Sequence, residues 1–154
     1  MKQPSNECFS LIQFFEGCKL EAYPDPGTHA EPFTIGWGTT VYPDGEKVKL
    51  GDTCTQEQAD LYLRHEVSEK TKGIYNLIDT DTLTQYQLDA LISFAYNCGL
   101  GNLKSSTLLK KAKIDPNDPT IPDEFKRWDR AAGRVLKGLT IRRKAEADLY
   151  IKQD

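Results

Sequence analysis

The chain lacks the residues and spacings that most catalytic chemistries require. Its only histidines, His29 and His65, lie far apart in sequence and outside any zinc-binding spacing. Its four cysteines, Cys8, Cys18, Cys54 and Cys98, show no C-x-x-C pattern. That argues against a zinc site and a disulfide framework, and it fits a reduced, cytosolic chain. There is no G-x-S-x-G nucleophile elbow and no GxxxxGK[ST] phosphate loop. No local signature supports Cys/His catalysis. Apolar runs are short, so no membrane insertion is expected. Residues 1–7 lack an apolar h-region, so no secretory signal is expected. Neither repeats nor low-complexity segments occur. No metal and no cofactor is expected.

What is present is ordinary in bulk and uneven in detail. The chain has 154 residues, 38% hydrophobic and 28% charged. That length suits one compact domain, with room for two lobes. The net charge of −3 hides a split. Residues 101–154 hold 13 Lys/Arg against 8 Asp/Glu, a balance of +5, and residues 1–100 hold 7 against 15, a balance of −8. The C-terminal part could face an anionic polymer, although solvated helix faces explain the same numbers. No nucleic-acid motif accompanies the charge, so nucleic acid is not an expected partner.

Apolar residues at Cys8, Phe9, Leu11, Ile12, Phe14 and Phe15 predict a helix over 6–16, with Ser5 as N-cap and Gly17 as stop. From 21 to 50 the pattern changes. Turn signals at 24–27 and 43–45 separate segments 33–38, 39–42 and 47–50, rich in β-branched and aromatic residues. These predict a small antiparallel sheet. Thr55-x-x-Gln58 predicts a helix to about Leu77, with Leu61, Val67 and Ile74 facing inward. Thr84-x-x-Gln87 opens what reads as the central helix, with Leu88, Leu91, Ile92 and Ala95 on its buried face. Further helices are expected at 106–113, after Pro122, and at 140–152. The predicted class is α+β: a small antiparallel β-rich lobe at about 17–54 and a larger helical lobe formed by 1–16 and 55–154, with a cleft between.

Glu16 closes the first helix, beside Phe14 and Phe15. Neighbouring aromatics that exclude water, and the negative end of a helix dipole, both favour a protonated carboxyl. Asp25 follows in the wet turn Pro24-Asp25-Pro26-Gly27. One shielded and one solvated carboxyl is the combination glycoside hydrolysis uses. The plainer alternative is a solvated helix end and a turn former. The Thr34 hydroxyl could hold water against Asp25, or Thr34 is a strand residue chosen for its β propensity. Gly36 and Gly38 leave a strand face bare for the approach of a backbone or ligand, or they mark a bulge.

Phe15-Glu16-Gly17-x-x-Leu20-x-Ala22-Tyr23-x-Asp25 with Thr34-Ile35-Gly36-Trp37-Gly38-Thr39-Thr40 closely resembles the signature of the phage-type lysozymes, the bacteriophage endolysin muramidases. The likeness continues through residues 83–99 and 105–109, Phe125-x-Arg127-Trp128 and residues 133–146. It implies cleavage of the β-1,4 bond between N-acetylmuramic acid and N-acetylglucosamine in peptidoglycan. By this resemblance Glu16 matches the catalytic acid, Asp25 the second carboxylate and Thr34 the catalytic threonine. Thr40, Tyr96 and Asn97 match substrate-binding positions. The turn from Asp25 to Thr34 is longer than in short members of the family, which makes Glu31 a rival for the role of Asp25. Thr39 stands where a histidine is common. A monomer is expected, and the lack of a secretory signal leads to the expectation that it is made in the cytoplasm of the producing bacterial cell and acts on the wall after release. A non-hydrolytic wall-binding module and a lytic transglycosylase are the alternatives. Inversion or retention would follow from the carboxyl separation, roughly 6.5–9.5 Å or 5–5.5 Å.

Overall fold

The computed structural model describes residues 2–153. The chain divides into two compact units, Ser10–Glu69 and the combination of Met1–Phe9 with Lys70–Asp154. The divisions fall within α1 (Asn6–Glu16) and α2 (Gln56–Tyr75).

The Ser10–Glu69 unit carries the sheet. β1 (Lys19–Tyr23) pairs antiparallel with β2 (Thr34–Gly36), in a register that sets Lys19 opposite Gly36 and Tyr23 opposite Thr34. The expected strands at 39–42 and 47–50 shrink to isolated bridges, Ile35 with Thr39 and Val41 with Lys47. β1 escapes the hydrophobic pattern because only Ala22 of its residues is buried. Ala22, Ile35 and Val48 form the small core, with Phe33, Tyr42 and Cys54 packed against it. The Tyr42 hydroxyl donates to Asp52 at 2.7 Å, and the Tyr42 and Tyr62 rings lie 5.2 Å apart. α2 opens on a reciprocal cap. Gln58 N donates to Thr55 Oγ1 at 3.1 Å and Thr55 N to Gln58 Oε1 at 2.9 Å. Val67 and Ile74 are buried as expected, but Leu61 is 53% exposed. The inward stripe runs instead through Ala59, Leu63, Val67 and Thr71.

In the other unit α3 (Gln85–Cys98) is buried continuously from Gln87 to Tyr96. Its capping box is complete, with Thr84 and Gln87 exchanging side-chain and backbone hydrogen bonds. Gly99 ends it, and α4 (Leu100–Ser105) and α5 (Thr107–Ile114) follow. Pro122 sits in the first turn of α6 (Ile121–Lys126). β3 (Arg130–Ala131) and β4 (Arg134–Val135) form an exposed hairpin that turns at Ala132-Gly133, and α7 (Lys137–Tyr150) closes the chain. α3 and α6 both pack on α7. Phe94 stands edge-on to Phe125 and Trp128 at 5.9 and 5.5 Å.

The centre of this unit is charged. Glu146 is fully buried, with Arg143 Nε 2.8 Å from one carboxylate oxygen and Arg142 Nε 3.3 Å from the other. The Arg143 Nε contact is close as an ion pair but not aligned as a hydrogen bond. Ser93 donates its hydroxyl to Glu146 at 2.5 Å. Asp89 is likewise buried and accepts from Ser5 N at 3.1 Å and from the Ser5 hydroxyl. Ser5 thus ties the chain entering α1 to α3. The four cysteines are free thiols. Cys8 is buried, and Cys98 is half-buried and touches the Arg143 guanidinium.

Candidate active site around Glu16

Glu16 is the last residue of α1, and Gly17 stops the helix with φ 65° and a hydrogen bond from its N–H to Gln13 O at 3.0 Å. Glu16 is half-buried. The expectation that both flanking aromatics shield it is not met. Phe14 is 78% exposed, its ring edge-on to Phe15 at 5.0 Å. What lies against the carboxylate is the glycine turn.

Residues 35–39 form that turn. Ile35 and Thr39 exchange both backbone hydrogen bonds at 2.8 Å, and Gly36 and Gly38 take φ 62° and 89°. Gly36 thus ends β2 and Gly38 sits in the turn that follows it, so the two do not share one bared strand face. Each permits a close approach. A methyl carbon at Gly36 would lie 3.2 Å from Ala59 Cβ of α2, and one at Gly38 only 2.5 Å from Glu16 Oε1. Trp37, between them, donates its indole N–H to Asp60 at 2.8 Å, and Gln56 donates to the same oxygen at 3.0 Å. These two hydrogen bonds hold the Asp60 carboxyl below its ordinary range.

Thr34 opens β2 directly opposite Tyr23. Burial, then the charge of Glu16, push the Tyr23 phenol up, and a side-chain hydrogen bond with Thr34 pulls it partly back. Glu16, Tyr23, Thr34 and Gly38 therefore form one group. Tyr23 was missing from the sequence-derived set. Its signal was its position two residues before Asp25, in a strand that periodicity did not show.

Asp25 is half-buried in the following loop. Its Oδ1 accepts from Gly27 N at 3.0 Å, its N–H donates to Ala30 O at 3.0 Å, and His29 N donates to Asp25 O at 2.7 Å. Glu31 is exposed and lines a separate pocket with Thr40, Val41 and Lys47. Thr39 is buried, and its hydroxyl has no hydrogen-bond partner among the described residues. Tyr96 and Asn97 belong to the helical unit, at the C-terminal end of α3. Tyr96 is buried, and Asn97 Oδ1 accepts from Arg143 Nη2 at 2.7 Å.

The phage lysozyme family model matches residues 13–146. The endolysin of Bacillus phage B103 is 39% identical over 142 residues, which cover 92% of this chain and 51% of that protein. The chain spans about half the length of the Bacillus phage endolysins it matches. Among solved structures, an endolysin from Escherichia coli O157:H7 phage FAHEc1 aligns with a TM-score of 0.85 at 34% identity, covering 97% of this chain and 94% of that one. The muramidase domain of SpmX from Asticaccaulis excentricus aligns with a TM-score of 0.83 at 27% identity, covering 99% and 100%.

Proposed function

Because the chain belongs to the phage lysozyme family, we propose that it is a peptidoglycan hydrolase, a muramidase that cuts the β-1,4 bond between N-acetylmuramic acid and N-acetylglucosamine. The observation that supports this most directly is the half-buried Glu16 carboxylate laid against Gly38, beside the Tyr23–Thr34 pair. An acid that must reach a glycosidic oxygen needs a fixed position and an unobstructed approach. The turn 35–39 fixes one side of it without contributing a side chain at Gly38.

In this reading protonated Glu16 donates to the glycosidic oxygen as the C1–O bond breaks. Positive charge develops on the sugar ring. Asp25, aided by Thr34, stabilises that charge or directs water, whose hydroxyl adds to C1 while its proton leaves to a carboxylate. Thr40, Tyr96 and Asn97 are the residues assigned to glycan binding. The protein acts as a monomer, made in the cytoplasm of the producing cell and reaching the wall after release.

Mass spectrometry of digested peptidoglycan tests the reaction. Reducing muramic ends are expected. Anhydro-muramic ends would identify a lytic transglycosylase, and binding without products a wall-binding module. If Glu16→Gln cleared purified walls at the wild-type rate, the assignment of the acid would be wrong.

A further inference from the structure

A pocket of about 300 Å³ opens in the sheet-bearing unit, and Glu16 is not among its walls. Phe33, Thr40, Val41 and Val48 form its sides, and Glu31 and Lys47 bring one charge of each sign. Both charged residues are exposed. Among the described residues neither side chain has a hydrogen-bond or ion-pair partner, so the two do not neutralise each other. Such a volume lies at the small end of the range for ligand sites, roughly 300–1,000 Å³, and suits the end of one side chain more than a sugar chain. An acid and a base lining one largely apolar pocket complement a group that carries an ammonium and a carboxylate on a short methylene stem.

The pocket is also close to the reaction centre along the chain. Thr40 follows Gly38 by two residues, at most roughly 7 Å of extended backbone. On the muramidase reading the substrate carries a peptide stem on each muramic sugar. Where the stem's diamino acid is diaminopimelate, its side chain ends in an ammonium and a carboxylate on one carbon. Where it is lysine, only the ammonium is present.

We propose that this pocket takes the zwitterionic end of a diaminopimelate side chain in the peptide stem, with the ammonium toward Glu31, the carboxylate toward Lys47 and the methylenes on Val41 and Val48. The inference rests on the muramidase reading for its choice of ligand. It makes the pocket a reader of wall chemistry, separate from the residues that break the bond. Lys47 supplies the discrimination, because the carboxylate is what a lysine stem lacks.

Two measurements on the full chain test it. Synthetic stem tripeptides ending in diaminopimelate or lysine are titrated while the NMR signals of Val41 and Val48 are followed. The diaminopimelate peptide is expected to shift those signals and to bind roughly fivefold more tightly, the worth of one partly exposed ion pair. Lys47→Glu is expected to remove that preference. Hydrolysis is then compared on diaminopimelate-type glycan strands with and without their stems. Lys47→Glu should slow the first about fivefold and leave the second unchanged. Equal binding of the two peptides, shifts confined to other residues, or an equal loss on both glycans would overturn the proposal. If the tripeptide binds the pocket while no glycan is cut, the pocket stands and the muramidase reading falls. If both glycans are cut and Lys47→Glu changes neither, the muramidase reading stands and the pocket falls.

Discussion

Gly38 and Glu16 compete for one volume: a methyl carbon at position 38 would stand 2.5 Å from Glu16 Oε1, so the carboxylate rests there only while residue 38 has no side chain. Gly38 also holds φ 89°, which disfavours any L side chain. Gly38→Ala is therefore expected to cost about 1–2 kcal/mol in stability and to displace Glu16. Wall clearing should fall by more than the change in melting temperature explains. Thermal denaturation and a turbidity assay on the same preparation separate the two effects.

Glu16→Gln keeps the shape of the side chain and removes its acidity. The variant should melt close to the parent, and wall clearing should fall by a factor on the order of 10²–10⁴. A parallel loss of folded protein would mean that the carboxylate is structural.

The two candidate second carboxylates occupy different surroundings, Asp25 in a closed turn and Glu31 at the pocket with Lys47. Asp25→Asn is expected to lower the hydrolysis of stem-free glycan strongly, and Glu31→Gln to leave it near the parent rate. The opposite ranking would transfer the role of Asp25 to Glu31.

Tyrosine titration should limit stability at high pH. Burial is the leading cause that raises the phenols of Tyr23, Tyr42, Tyr62, Tyr75 and Tyr150. In the unfolded chain a tyrosine ionises near 10. Below that pH both states hold the proton, and the stabilisation is fully present. Above it the unfolded state loses protons that the folded state keeps, so stability falls as pH rises through the folded values. Urea unfolding at pH 9, 10 and 11 should show a declining midpoint. Tyr42→Phe should start lower, for want of the bond to Asp52, and decline less steeply.

Glu146 is fully buried between Arg142, Arg143 and Ser93. Glu146→Ala leaves two guanidinium groups in the interior without their acid, and is expected to cost about 3–5 kcal/mol. Chemical denaturation measures it. A loss below about 1 kcal/mol would mean that water reaches the arginines.

The parts of this fold that were legible in the sequence are those decided by near neighbours. The capping boxes at Thr55 and Thr84 each close within four residues, and the apolar content of 88–96 leaves α3 no exposed face. Leu61 misled because a 20-residue helix offers several apolar stripes, and tertiary packing chose the one through Ala59 and Leu63. β1 was invisible because alternation needs a buried face, and Ala22 alone supplies it. Glu16, Asp25 and Thr34 are candidates from the sequence as residue types at suggestive spacings. Gly38 against the carboxylate, and Tyr23 opposite Thr34, depend on the turn at 35–39 and on strand register, which no local pattern encodes.

The loop after Asp25 is cinched at its base, since Asp25 bonds through its backbone to both His29 and Ala30. Residues added between Gly27 and Thr28 leave in place those backbone bonds and the bond from Gly27 N to the Asp25 carboxylate. Chain length there can drift between relatives while Asp25 keeps its place two residues beyond β1. The same arrangement makes the stretch between Gly27 and Thr28 a natural port for grafting a fluorophore or an affinity tag close to Asp25.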